Sequence, residues 1–214
     1  KGEDITSLYI GGGTPSSLNL NELKRLFNIL KMFNLSKNCE ITMEANPDNL
    51  TLDKIKLLKE YGINRVSIGV ETINNKLQDV LERRTNKDDV INCINNLKKE
   101  GITNINVDLI YAIKGETLDD LKEDLNFLLS LDVPHISTYS LIIEDNTKLK
   151  IKNVDNIDKI LDRKMYDMIS SILKNNNYIH YEISNFSKEG YSSKHNLKYW
   201  YNLEYYGFGV GASG

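Results

Sequence analysis

Cysteine, proline and tryptophan are scarce, at two, three and one in 214 residues. The two cysteines, Cys39 and Cys93, lie far apart. They build no disulfide framework, and neither has a partner at metal-ligand spacing. Each reads as a small semi-buried residue in a chain suited to a reducing cytoplasm. So little proline argues against long disordered linkers. No run approaches the ~18 apolar residues of a membrane span, and no charged start leads into an apolar stretch. Charge of one sign is lacking too: the net charge is -3. A grip on nucleic acid would need a basic stripe, so no nucleic-acid partner is expected.

What remains is an ordinary soluble composition, 40% hydrophobic and 27% charged, enough for one large domain or one and a fraction. The first residue is Lys1, and residues 6–10 already read as a buried strand, so the chain reads as a piece of something longer.

Strand and helix patterns alternate along the chain. Ser7 to Ile10 is a short apolar strand ending in Gly11-Gly12-Gly13. Leu20, Leu23, Leu26, Phe27, Leu30 and Phe33 then recur at helical spacing, with Asn19 and Glu22 as a capping box. Glu40 to Ala45 is a strand, followed by a helix through Leu52, Ile55, Leu57 and Leu58 with Thr51 as N-cap. Arg65 to Val70 is a strand, and Val90, Ile91, Ile94 and Leu97 make the next helix. Asn104 to Leu109 is a strand, Thr117 caps a helix through Leu128, and His135 to Leu141 is the fifth strand. Such a series predicts a parallel sheet with right-handed crossovers, open or closed into a barrel.

The pattern changes near residue 145. This suggests a first unit over 1–145 and a second over 146–214. Residues 148–156 read as a polar loop, 157–173 as a long amphipathic helix and Tyr178 to Phe186 as a single strand. Aromatics crowd the segment Tyr199 to Tyr206.

Ligands of parallel α/β folds sit at the carboxyl ends of the strands. There the sequence puts Gly11-Gly12-Gly13-Thr14, then Glu44, then Glu71 with Arg83 and Arg84 following, then Asp108. The glycines allow close backbone approach to a polar ligand, and Thr14 adds a hydroxyl. A charged residue within an apolar run, such as Asp108, is not expected to be buried without a partner.

Leu8 to Ser16 resembles the signature of oxygen-independent coproporphyrinogen oxidases and related heme chaperones in the radical S-adenosylmethionine family. Glu44 to Pro47, Gly62 to Val70, Asn106 to Tyr111, His135 to Tyr139 and Tyr181 to Phe186 agree in order and spacing. The resemblance implies an α/β fold, a partial parallel barrel of six βα units, here lacking its first strand. It also implies an S-adenosylmethionine site. In it, Gly12 and Glu44 lie at the cofactor, and Gly13, Thr14, Glu71, Arg83 and Asp108 match a second cofactor set. The backbone near Ile142 matches an adenine contact. Glu71 stands where the family usually has Gln, and an ionised Glu only accepts hydrogen bonds.

His195 to Trp200 resembles the His-Asn-x-x-Tyr-Trp segment of the heme-chaperone branch, which implies heme as ligand, His195 as its axial residue and a heme-accepting enzyme as partner. His135 and His180 read as structural. The family's Cys-x-x-x-Cys-x-x-Cys loop, which holds a four-iron cluster, has no counterpart here, so the cluster is expected only in a longer parent chain. The alternatives are a coproporphyrinogen III dehydrogenase and a cluster-less, non-catalytic barrel fragment.

Overall fold

The structure is a computed structural model and describes residues 4–143 and 157–212. The loop expected at 148–156 lies outside the described residues. Five parallel strands carry the architecture: β1 (Ile5–Ile10), β2 (Leu35–Ala45), β3 (Arg65–Glu71), β4 (Asn104–Tyr111) and β5 (His135–Ser140). Between them run α1 (Leu20–Leu30), α2 (Leu52–Glu60), α3 (Asn75–Leu81), α4 (Lys87–Lys99) and α5 (Leu118–Ser130). After β5 come α6 (Lys159–Asn175), β6 (Ile179–His180), β7 (Asn185–Ser187) and α7 (Lys194–Trp200).

Helix starts follow the local chemistry. Asn19 and Glu22 form the expected capping box, and Thr51 and Thr117 accept from Lys54 and Asp120 backbone N–H groups. α1 stops at Leu30, so Phe33 falls beyond it, and β2 begins at Leu35, five residues before the expected start at Glu40.

Alternation along the strands sorts residues into two environments. Met43, Val66, Ile68, Ile105, Val107 and Ile136 meet the helices in one core with Leu23, Phe27, Ile55, Leu97, Leu125 and Ile169. The opposite face carries Glu40, Thr42, Glu44, Arg65, Ser67, Asn106, Asp108, His135 and Ser137. A polar inner face on parallel strands is what a lined interior requires, since parallel sheets covered on both sides read as continuous apolar runs.

The single strand expected from Tyr178 to Phe186 is instead a hairpin. β7 pairs antiparallel with β5, and β6 antiparallel with β7, in the order β1-β2-β3-β4-β5-β7-β6. β6 therefore still runs parallel to β5, with α6 between them in sequence, and β7 is wedged between the two strands. No helix of the described residues is long and apolar enough to cross a membrane.

One buried acid stands outside this scheme. Glu116, in the β4–α5 loop, is 3% exposed. Its Oε2 accepts from the Ile113 N–H at 2.9 Å, and its Oε1 has no partner. Burial pushes its carboxyl up to about 8, and the nearby Asp124 adds to the shift. The folded state thus keeps a proton that the unfolded chain loses above its ordinary value near 4.5. Stability is fully present below that value and falls as pH rises to about 8. The Glu116→Gln variant should therefore gain on the wild type by several degrees in melting temperature between pH 5.5 and 8. Parallel melting curves across that range would contradict this.

Candidate functional site

Where the strands end, β1 to β5 surround a cavity of about 300 Å³. Its lining includes Gly12, Gly13, Thr14, Glu44, Ser67, Glu71, Arg83, Asp108 and Tyr139. Seven residues singled out from the sequence thus share one space: Gly12, Gly13, Thr14, Glu44, Glu71, Arg83 and Asp108. Ile142 is not in the lining and is 75% exposed as a residue.

The glycine loop is shaped for contact through its backbone. Gly12 has φ +95°, and no atom lies within 4 Å of where a Cβ would stand on Gly12 or Gly13. Gly11 is different. A Cβ there would sit 2.8 Å from Tyr9 Cε1 and 2.9 Å from the Glu44 carboxylate. Those two side chains are locked together, because the Tyr9 hydroxyl donates to Glu44 Oε1 at 2.7 Å. Burial and the Glu44 charge push the Tyr9 hydroxyl far above its ordinary range, so it is a donor at any physiological pH.

Asp108 accepts from Asn106 Nδ2 at 2.7 Å and from the Ser67 hydroxyl at 3.2 Å. Desolvation raises its carboxyl, while those two hydrogen bonds and the Arg65 charge oppose the rise. Glu71 closes the wall with a left-handed backbone, φ 65°. Its Oε1 pairs with Arg83 at 2.5 Å, and its Oε2 is buried with no partner. Burial raises this carboxyl, the Arg83 charge lowers it and Asp108 raises it further.

His195 lies outside the cavity lining and is linked to it through Tyr9, which is bonded to the lining residue Glu44. Its ring stacks on Tyr9 with centroids 4.8 Å apart. Nδ1 is 3.4 Å from the Ser7 hydroxyl, and Nε2 is 3.1 Å from the Tyr199 hydroxyl. Burial lowers its pKa, so the imidazole is neutral near pH 7 and able to ligate a metal. Helix α7 is seated by Glu40, which accepts from the Ser193 hydroxyl and from the Lys194 and His195 N–H groups at 3.0–3.2 Å. The other two histidines are differently placed. His135 is fully buried, and His180 stacks on Phe186 at 4.1 Å.

Sequence reasoning missed Tyr9, Ser67, Tyr139 and Glu40. For Ser67 and Glu40 the available signal was the alternation, since their strand neighbours Val66, Ile68, Cys39 and Ile41 are apolar.

S-adenosylmethionine brings a sulfonium, an ammonium, a carboxylate and ribose hydroxyls. The cavity offers carboxylates at Glu44 and Asp108, an unpartnered buried oxygen on Glu71, a guanidinium at Arg83 and open backbone at Gly12 and Gly13. These groups fit that cofactor. They do not fit a four-iron cluster. Among the described residues no group of three or more His, Cys, Asp or Glu is placed to hold a metal. Cys39 and Cys93 are both buried, on β2 and α4, and burial pushes the Cys93 thiol up to about 12.

The family model described as the Radical SAM superfamily matches residues 1–128. The chain is 43% identical over 219 residues to the heme chaperone HemW of Lactococcus lactis and 40% identical over 217 residues to that of Bacillus subtilis. Each match covers 99% of this chain and 57% of the relative, so the chain spans little more than half their length. Among solved structures, coproporphyrinogen III oxidase (HemN) from Escherichia coli, described as a radical SAM enzyme, superimposes with a TM-score of 0.81 at 22% identity. That match covers 91% of this chain and 45% of the other, and it speaks for the fold alone. With the barrel, its strand-end cavity and a family match over most of its length, the chain belongs to the radical SAM superfamily.

Proposed function

We propose that this protein is of the heme-chaperone type, holding S-adenosylmethionine in the strand-end cavity and heme through His195. The convergence of seven sequence-singled residues on one cavity carries the cofactor half of the reading. Glu44 and Asp108 supply negative charge for the cationic groups, and the Gly12-Gly13 backbone supplies close approach. In the family the cofactor provides radical chemistry when it sits on a cluster. This chain's own residues bind and orient it.

The heme half rests on the 43% and 40% identity to proteins named heme chaperones and on the setting of His195. Its neutral imidazole carries Nε2 toward Tyr199, which is 48% exposed, on a helix that also exposes Trp200. Displacing the Tyr199 hydroxyl frees a ligating nitrogen beside flat aromatic surface suited to a porphyrin. The carried heme would then pass to a heme-accepting enzyme.

Hemin titration of the full-length protein, followed at the Soret band, tests this. His195→Ala is expected to weaken hemin binding at least tenfold and to shift the band. Equal affinity and an equal spectrum in the variant would remove His195 from the site.

A further inference from the structure

Both cavity carboxylates are tied to the helix that carries His195, by separate routes through the barrel interior. The first route is short. Glu44 holds the Tyr9 hydroxyl at 2.7 Å, and the Tyr9 ring lies under His195 at 4.8 Å with 22° between planes.

The second route starts at Asp108. Asn106 Nδ2 donates to Asp108 Oδ1 at 2.7 Å and to the Ser67 hydroxyl at 2.7 Å, which fixes the orientation of the Asn106 amide. Its Oδ1 is then an acceptor only, so His135 Nδ1, 2.6 Å away, must carry the proton. His135 is fully buried, and burial holds its pKa well below the usual value, so the ring is neutral and Nε2 is bare. The Tyr181 hydroxyl, 2.7 Å from Nε2, therefore donates to it. Having spent its proton, the Tyr181 oxygen accepts from the Ser193 N–H at 3.2 Å. Ser193 is the N-cap of α7.

Every donor in this relay points the same way, from α7 toward Asp108. The amide of Asn106 cannot pass a proton on, so the relay transmits orientation and polarity rather than protons. An occupant that engages Glu44 and Asp108 fixes the far ends of both routes, and with them Tyr9, Ser193 and the setting of His195.

We propose that Tyr9 and Tyr181 are positioning residues that couple the cavity to the His195 site, so that a cavity occupant tightens heme binding. The physical basis is pre-organisation. A ring already ordered by the first ligand loses less freedom when the second binds. This inference rests on the heme-chaperone reading.

The test is hemin titration of the full-length protein with and without saturating S-adenosylmethionine. The ratio of the two affinities is read within each protein, so any change in basal affinity cancels. The wild-type ratio is expected to be at least about fivefold, the lower end of ordinary coupling. Linkage requires the same ratio for S-adenosylmethionine with and without hemin. Tyr9→Phe keeps the ring stack and loses only the Glu44 bond, whereas Tyr181→Phe keeps the packing on His135 and loses both relay bonds. Each single variant should lower the ratio, and the double variant should bring it near one. A wild-type ratio under twofold, heme binding weakened by the cofactor, or a wild-type ratio retained in the double variant would each overturn the coupling. Hemin binding that ignores His195 altogether sinks the underlying reading instead, and the two failures are told apart in one set of titrations.

Discussion

Glu44→Gln should raise the dissociation constant for S-adenosylmethionine by about tenfold to a hundredfold while leaving the fold intact. The change is isosteric and removes one negative charge from the cavity wall. A hydrogen bond or contact to a charged group is worth about 1.5–3 kcal/mol, and each 1.4 kcal/mol is a factor of ten in affinity. Gln retains an acceptor for the Tyr9 hydroxyl, which now donates to Glu44 at 2.7 Å, so the Tyr9 ring keeps its place. Asp108→Asn is a less clean experiment. Asp108 already receives hydrogen bonds from Asn106 and Ser67, and an amide nitrogen there would face donors with a donor. That variant should lose stability as well as affinity. The measurement is equilibrium titration of the full-length protein, with a melting curve for each variant. If the Glu44→Gln variant binds the cofactor as tightly as the wild type, the negative charge of Glu44 drops out of the account.

How far the sequence disclosed this site depends on which signal each part used. β1 to β5 and α1, α2, α4 and α5 were legible because they alternate or repeat against a core and carry local caps. α3, Asn75–Leu81, was not. It is seven residues long, buries only Leu77 and Gln78, and so gives too little periodicity to read. α7 buries no residue at all and therefore has no apolar face to detect. Its local cap is Ser193, whose hydroxyl accepts from the Asn196 N–H at 3.2 Å, but its seat on Glu40, 153 residues away, is announced by nothing local. The β6–β7 hairpin was hidden for a related reason. Tyr178 to Phe186 is apolar and aromatic enough for one strand, and only its pairing with β5 turns it back. The cavity residues were legible as a class, because Gly, Glu and Asp at strand ends face one mouth in any parallel fold. Tyr9 was not, since a tyrosine inside an apolar strand reads as core. Its actual role depends on Glu44 and His195, which adjoin it only in three dimensions.

The same crowding around Tyr9 makes Gly11 the most sensitive backbone position in the site. Gly11→Ala would place a methyl group 2.8 Å from Tyr9 Cε1 and 2.9 Å from the Glu44 carboxylate, closer than carbon atoms settle. One of the two must give way. The Tyr9 ring has little room to retreat, because it is stacked on His195 and held by its hydroxyl. Glu44 can swing, but it then breaks its bond to Tyr9 and leaves the position from which it faces the cavity. Overpacking of this kind costs about 1–3 kcal/mol, and a chain of this size loses roughly 2–4 °C in melting temperature for each kcal/mol. Gly13→Ala adds its methyl group where nothing lies within 4 Å, so it should melt with the wild type. Gly11→Ala should melt several degrees lower and bind S-adenosylmethionine at least tenfold more weakly, since the displaced residue is Glu44 itself. If Gly11→Ala instead keeps both the wild-type melting temperature and the wild-type affinity, Tyr9 and Glu44 are not locked to one another, and Tyr9 loses its place as the link between the cavity and His195.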